Sequence, residues 1–345
     1  MFGEHQDYLN LPVIACAISK RIHIEGYKRS DKKVIIHLPD INLIEDFDLS
    51  DRVKYSTNRD YLKSSINVLQ RNGYDFSNGF ECVVNGNIPI NAGASSSTAL
   101  VVAWISFLLG MTDQKGSLSE YEIAQLAHEA EVIEFLEPGG MMDHFSISFG
   151  GMIFIDFNPQ IKITNIKSTI DSFILGNSKE IKETTKILAN VKNILVNISK
   201  TLSSLYRDFS LVKINLNEID QFQKHFSNDE FCLLKGTIRN RDITRVALKE
   251  LMNEKTNKKR IGELLNEHQA ILREELKIST PKIDRMIDSV LNAGAYGAKI
   301  NGSGGGGSMF AYASENNEKV LDELKKIASE SYIVNIDSGV QIEYS

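Results

Sequence analysis

Apolar and polar positions alternate over residues 11–18, 21–27 and 33–38, the period of strands that bury one face. Residues 57–71 change to a helical period, with Tyr61, Leu62, Ile66 and Leu69 on one side and Gly73 as a stop. Residues 79–90 return to a β pattern in which Phe80, Cys82 and Val84 alternate. An apolar run over 98–111 then predicts a buried helix. A second helix is predicted from Ser119, which has capping-box spacing to Glu122, through Glu131 to about Phe135. Pro138-Gly139-Gly140 breaks the pattern, 141–148 predicts a short helix, and 152–157 a strand. The polar stretch 159–169 reads as a domain junction. Beyond it come a strand at 172–175 and helices from 178 to 277, with a basic turn at 255–260. Thr280-Pro281 reads as the N-cap and first residue of a helix to Ala293. Strands at 296–300 and 308–313 flank a glycine run, and a helix from Glu315 and strands at 331–336 and 338–344 end the chain. The expected fold class is α+β in two domains, 1–165 and 166–345. Strands and helices do not alternate strictly enough for one doubly wound sheet.

Composition narrows the function. With 345 residues, 42% apolar and 24% charged, the chain is an ordinary globular one, long enough for a large core. A net charge of −6 gives no electrostatic reason for a nucleic-acid or membrane partner. Cys16, Cys82 and Cys232 are odd in number and far apart, as reduced thiols of a cytoplasmic protein would be. Met1 is followed by no basic or apolar leader, and the apolar run 98–111 is too short to span a bilayer.

Three segments carry candidate chemistry. Asn87 to Thr98 (Asn-Ile-Pro-Ile-Asn-Ala-Gly-Ala-Ser-Ser-Ser-Thr) is a small-residue loop that opens a helix. Such a loop lets phosphate reach the backbone and meet free N–H groups, although Ser and Thr also serve as plain helix caps. Asn301 to Gly307 (Asn-Gly-Ser-Gly-Gly-Gly-Gly) matches a dinucleotide fingerprint formally at Gly302, Gly304 and Gly307. It lies between two strands, however, not between a strand and a helix. A tight loop that brings backbone close to a ligand or another loop fits better than a linker. Asp143, flanked by Met142 and His144, is a candidate general base, with a helix cap as its alternative. Glu131 lies within reach if the Pro-Gly-Gly loop folds back, and Glu129, Glu134 and Glu137 leave a solvated acidic face open. Gly3-Glu4-His5-Gln6-Asp7-Tyr8 could grip sugar hydroxyls, or be an exposed, frayed terminus.

As an ordered set these segments resemble the GHMP kinases, and within them the galactokinase-like sugar kinases, over nearly the whole chain. The carriers are Gly3 to Tyr8 with Val13 and Ala17-Ile18, Asp60-Tyr61-Leu62-Lys63, Pro89 to Ser97, Ala130-Glu131 with Gly140-Met141-Met142-Asp143, and Gly297-Ala298-Lys299 through Gly307. The resemblance implies a left-handed βαβ-containing N-terminal domain and a ferredoxin-like C-terminal domain. It implies an ATP- and Mg²⁺-dependent kinase acting on the anomeric hydroxyl of a monosaccharide, with galactose the first candidate. Glu4, His5, Asp7 and Gly140 would bind the sugar, and Asp143 would orient or deprotonate its hydroxyl. Gly93, Ala94, Ser95, Ser96, Ser97, Gly304 and Gly305 would cradle ATP, and Ser97 and Glu131 would hold Mg²⁺.

Two departures bear on the sugar. Galactokinases carry a strand with an arginine before Gly-Glu-His, whereas this chain starts at Met1-Phe2. Phe149 to Asp156 and Phe173 to Ser178 look more like mevalonate or uronate kinases. A uronic acid or another hexose, and a non-catalytic sugar- and ATP-binding regulator, are therefore the alternatives. A nicotinamide-dependent oxidoreductase would rest on glycine spacing alone. The partners expected are small molecules, with the protein a monomer or homodimer.

Overall fold

The computed structural model describes residues 1–89, 95–114, 116–180 and 184–344, with the backbone alone for 184–188. Its first half runs β1 (Val13–Cys16), β2 (Ile22–Lys28), β3 (Lys33–Leu38), β4 (Leu43–Asp48), α1 (Tyr61–Arg71), β5 (Phe80–Gly86), α2 (Ser96–Met111), α3 (Glu120–His128) and α4 (Met142–Phe149). Next come β6 (Met152–Asp156), β7 (Lys162–Asn165), β8 (Ser172–Asn177), α5 (Thr184–Leu205), α6 (Asn228–Leu251) and α7 (Lys258–Glu274). The chain ends with α8 (Pro281–Asn292), β9 (Gly297–Ile300), β10 (Ser308–Tyr312), α9 (Asn317–Leu324) and β11 (Glu330–Asn335). None of the described helices is long and apolar enough to cross a membrane.

The chain folds into two compact units, and neither is a continuous stretch. One contains Met1–Cys16 and Gly151–Ile336; the other contains Ala17–Pro89, Ser95–Gly150 and the segment from Asp337. This corrects the expected cut at 165/166. The reason is long-range pairing: β1 runs antiparallel to β6, with Val13 opposite Ile155, and β6 pairs with β7. Residues 159–169 are thus no junction, since they contain an edge strand. The expected strand at 338–344 is also absent. Only Ser338 makes a bridge, to Gly150. That segment is instead held by Arg21, whose guanidinium meets Asp337 at 2.9 Å and donates to the carbonyls of Ser338 and Gly339.

The unit containing α1 to α4 is built on the sheet β2-β5-β3-β4. β3 and β5 run parallel, with β4 and α1 between them in sequence. Asp60 caps α1 by accepting from the Lys63 N–H, and the capping box of Ser119 and Glu122 starts α3 as its spacing predicts. α2 is apolar on all sides and correspondingly buried. Its Trp104 is fully enclosed, donates to the Leu62 carbonyl at 2.9 Å and packs on Phe80. Burying a polar ring N–H without that acceptor would be costly.

The other unit holds an antiparallel sheet in the order β11-β8-β10-β9. With α8 and α9 packed on it, the succession β8-α8-β9-β10-α9-β11 is ferredoxin-like, and α5 to α7 enter between β8 and α8. Thr280 caps α8 with Pro281 in its first turn. α6 packs on β1, which belongs to the small sheet β1-β6-β7.

Candidate active site

Two groups of candidate residues form, one in each unit. In the unit of α1 to α4, Ser95 sits immediately before α2 with left-handed backbone angles, φ 53° and ψ 38°. A serine at that position normally caps the helix. Here its hydroxyl makes no capping bond and donates to Asp143 Oδ2 at 2.7 Å. Asp143 lies in the first turn of α4, partly buried. The loop predicted to cradle phosphate therefore ends, at the helix start, with a hydroxyl aimed at the predicted base. Gly93 and Ala94 lie outside the described residues.

Glu131 does not lie on the regular helix expected through Phe135. α3 ends at His128, and Glu129–Ile133 form a π-turn. A π-turn adds a residue to the turn and so re-aims its side chains, and such turns are frequent at functional sites. The result separates Glu131 from its acidic neighbours. Glu129 and Glu134 pair outward with Arg71, and Glu137 with Arg59. Glu131 turns inward, 6% exposed, with its carboxylate 2.9 Å from His144 Nε2. Burial opposes its charge, but His144 and the hydroxyls of Ser97 and Thr98 hold the carboxyl below its ordinary value.

An ionised carboxylate beside hydroxyls is an oxygen donor set of the kind Mg²⁺ takes. Among the described residues no three His, Cys, Asp or Glu side chains gather as a metal cage. Mg²⁺ is commonly held by one or two carboxylates together with substrate phosphates. Gly140 lies in the irregular, half-buried segment before α4.

In the other unit the first six residues are all buried, which overturns the frayed-terminus alternative. Phe2 exchanges backbone hydrogen bonds with Ile14 at 2.9 Å. His5, at φ 63°, bonds through Nε2 to the Ser303 carbonyl at 3.0 Å and through Nδ1 to the Tyr8 hydroxyl at 2.8 Å. Asp7 opens a short 3₁₀ turn and is only partly buried.

Glu4 has a different setting from the one expected of a sugar ligand. It is 3% exposed, accepts from the fully buried Lys299 ammonium, and lies 3.7 Å from His268 Nε2. One carboxylate oxygen is thus engaged by this chain's own Lys299, while Oε2 is buried without a hydrogen-bond partner among the described residues.

Gly304 and Gly305 belong to a run of left-handed residues between β9 and β10. A Cβ on Gly304 would lie 2.5 Å from both Cβ and O of Ile278, and the Gly305 N–H donates to that same carbonyl at 2.7 Å. The close approach that the glycine run predicts is thus made, at Gly304, to another loop.

Lys299, His268 and His144 are the residues that the pattern left without a role. The signal for Lys299 was present: a lone lysine in the strand Gly297-Ala298-Lys299-Ile300 must find a buried partner. His144 and His268 gave no such signal, because their partners are distant or set by the π-turn.

Comparison with known proteins fixes the family. A model of the GHMP kinases N terminal domain matches residues 60–151, and one of the GHMP kinases C terminal domain matches residues 247–330. The chain belongs to the GHMP kinases. These are ATP-using phosphotransferases with alcohol acceptors. A mevalonate kinase of Pyrococcus furiosus is 25% identical over 360 residues, covering 99% of this chain and 95% of that protein. A galactokinase of Thermococcus kodakarensis is 26% identical over 368 residues, covering 99% and 97%. Among solved structures, Lactococcus lactis galactokinase complexed with galactose superimposes with a TM-score of 0.86 at 23% identity, covering 98% of this chain and 91% of that one. The two-domain GHMP kinase fold is therefore this chain's fold. The acceptor is left open by relatives of both kinds at equal distance.

Two expectations follow from this geometry. Removing the Ser95 hydroxyl, in Ser95→Ala or in the unstrained Ser95→Gly, is expected to lower kcat by roughly 10-fold, about the worth of one charge-assisted hydrogen bond. Steady-state kinetics checks this, and a Ser95→Gly variant with unchanged kcat would show that the bond is not used.

The second concerns acid. Burial disfavours the Glu4 charge, yet Lys299, then His268, pull the carboxyl down to about 2 from 4.5. Burial and the Lys299 charge depress His268 from 6.5 to about 3. In both groups the unfolded chain binds more protons than the folded one between those values. Stability is therefore fully present above pH 6.5, begins to fall as His268 would titrate, and falls further from 4.5 toward 2. Urea unfolding across pH 3 to 8 is expected to show this decline, and His268→Phe to flatten its upper part. An unchanged slope above pH 4.5 in that variant would contradict it.

Proposed function

We propose that this protein phosphorylates a monosaccharide at its anomeric hydroxyl, using ATP and Mg²⁺, with galactose the first candidate. The observation that carries the reading is the hydrogen bond from Ser95 at the head of α2 to Asp143 at the head of α4. It couples the phosphate-loop serines to a carboxylate able to accept a proton. The N-terminal run Gly3 to Tyr8, with His5 held and Asp7 partly open, supports a polyhydroxylated acceptor.

In this reading the acceptor hydroxyl is oriented by Asp143, which takes its proton as the oxygen attacks the γ-phosphorus in line. The bond from that phosphorus to the β–γ bridging oxygen breaks, and ADP leaves with the electron pair. Ser95, Ser96 and Ser97, with backbone N–H groups at the start of α2, would hold the phosphates. Glu131 and Ser97 would hold Mg²⁺, which when bound draws charge from the phosphoryl oxygens. His5 and Asp7 would hold sugar hydroxyls away from the reacting centre. The protein would act in the cytoplasm on small molecules.

Mevalonate is the second acceptor to weigh, because the Pyrococcus furiosus relative is a mevalonate kinase. ADP release measured over galactose, other hexoses, uronic acids and mevalonate tests the reading. Turnover with one sugar and dependence on Mg²⁺ are expected. Turnover with mevalonate alone would replace the reading, and sugar binding without ADP release would point to a regulator of the same fold.

A further inference from the structure

The helix that carries Asp143, α4, has eight residues, about 12 Å of length. A helix that short is marginal alone and depends on what holds it. Met141, its N-cap residue, makes no side-chain capping bond, so the end bearing Asp143 is not fastened by a cap. α4 packs on α2 and α3, and its fully enclosed Phe145 fixes it sideways.

The other end of α4 is closed by a distant segment of the same unit. The Val340 N–H donates to the carbonyls of Ile147 and Ser148, at 3.0 and 3.3 Å. These are carbonyls of the kind that a helix end leaves without an internal partner. Ser338 bridges to Gly150, and a Cβ on Gly150 would overlap the backbone nitrogen of Gly339. A Cβ on Gly339 would in turn run into the Ser148 carbonyl oxygen. Contact this close leaves the helix end no room to slide.

Arg21 holds that segment in place. Its Nη2 donates to the Ser338 carbonyl at 2.9 Å and to the Ser338 hydroxyl at 2.8 Å. Its Nη1 donates to the Gly339 carbonyl at 3.2 Å, and its Nε to the Asp337 carboxylate at 3.1 Å. One guanidinium thus grips three consecutive residues, which a planar fork of five donors can do and a lysine ammonium cannot.

We propose that Arg21 is a positioning residue: through residues 337–340 it caps α4 from outside and so sets where Asp143 lies against Ser95. The inference rests on the reading of Asp143 as the base. The 2.7 Å bond from Ser95 to Asp143 joins the heads of α2 and α4, and α2 is anchored separately through Trp104. A shift of α4 along its axis therefore changes that contact and the aim of the carboxylate. Misplacing a reacting group by 1 Å costs about 100-fold in rate, so a fraction of that shift is measurable. The plain alternative is a clamp that only seals the fold. It would add stability and leave the rate per folded molecule unchanged.

The test compares Arg21→Met, Gly339→Ala, Asp143→Asn and the double variant Arg21→Met/Asp143→Asn in the full chain. Deuterium exchange is followed over residues 142–150. Turnover is measured with galactose (or with mevalonate, if that alone reacts), together with binding of a non-hydrolysable ATP analogue. Gly339→Ala pushes the segment off the helix end and can fail to fold; Arg21→Met, at a partly exposed position, then carries the comparison. Exchange over 142–150 is expected to accelerate at least ~10-fold in Arg21→Met. Its kcat is expected to fall ~10-fold, with analogue binding within ~2-fold of wild type. In the Asp143→Asn background the same change should cost no more than ~2-fold further, because nothing is gained by placing a side chain that cannot take the proton. Unchanged exchange in folded Arg21→Met would overturn the proposal. So would a kcat loss repeated in full on top of Asp143→Asn, which marks a general weakening of the fold. If Asp143→Asn turns over at the wild-type rate, the reading of Asp143 as the base falls and its positioning with it, while faster exchange would still show Arg21 as the clamp on α4.

Discussion

Replacing Asp143 by asparagine is expected to lower kcat by roughly 10²–10⁴-fold, the usual worth of a general base. Asparagine keeps the size of the side chain and an oxygen that accepts from the Ser95 hydroxyl, which lies 2.7 Å from the native carboxylate. It has no site for the acceptor's proton. The loss should therefore fall on kcat, with binding of a non-hydrolysable ATP analogue within ~2-fold of wild type. ADP release and analogue binding, measured on the same preparation, separate these effects. A kcat within about 3-fold of wild type would remove Asp143 from the chemistry and leave it as an ordinary residue of the first helical turn.

A large effect on stability is expected at Gly304. Gly304 and Gly73 have nearly the same φ, +80° and +87°, but a Cβ on Gly73 would meet nothing within 4 Å. Gly73→Ala is therefore charged only with left-handed strain, about 1–2 kcal/mol. Gly304→Ala adds a clash with the Ile278 side chain and carbonyl, at 2.5 Å each, and overpacking of that kind costs a further ~1–3 kcal/mol. Relieving it would pull Gly305 from its hydrogen bond to the Ile278 carbonyl. Urea unfolding of the two variants should rank Gly304→Ala clearly below Gly73→Ala. Equal losses would mean that the loop yields freely at Ile278.

What could be read from the sequence was mostly local. The Ser119–Glu122 capping box, the Thr280-Pro281 helix start and the apolar helix α2 depend on residues a few positions apart, and each was found where expected. The glycine run was correctly placed between strands, because apolar stretches on both sides show it. β4 was missed, since Glu45, Asp46 and Asp48 mask the alternation of an exposed edge strand. The pattern at 338–344 alternates like a strand, yet finds no edge to pair with beyond Ser338. Alternation states only that a segment could pair; its partner is decided elsewhere in the chain.

The same division holds in the candidate site. Ser95, Glu131 and Asp143 were legible as chemistry-bearing residues in motif-like spacing. The aim of Glu131 was not, because a π-turn replaces the regular helix its period predicts. The setting of Glu4 depends on Lys299 and His268, both more than 260 positions away, and no local pattern could supply it.

The most direct test of the account is where the phosphoryl group arrives. Phosphorylation of an anomeric hydroxyl keeps the hemiacetal ring from reopening to the aldehyde, so the sugar loses its reducing end in step with ADP formation. With galactose, ATP and Mg²⁺, the account predicts equimolar loss of reducing sugar and gain of ADP, with the ³¹P signal of the product coupled to the anomeric proton. ADP formed while the reducing end is retained, or formed only with mevalonate, would contradict it.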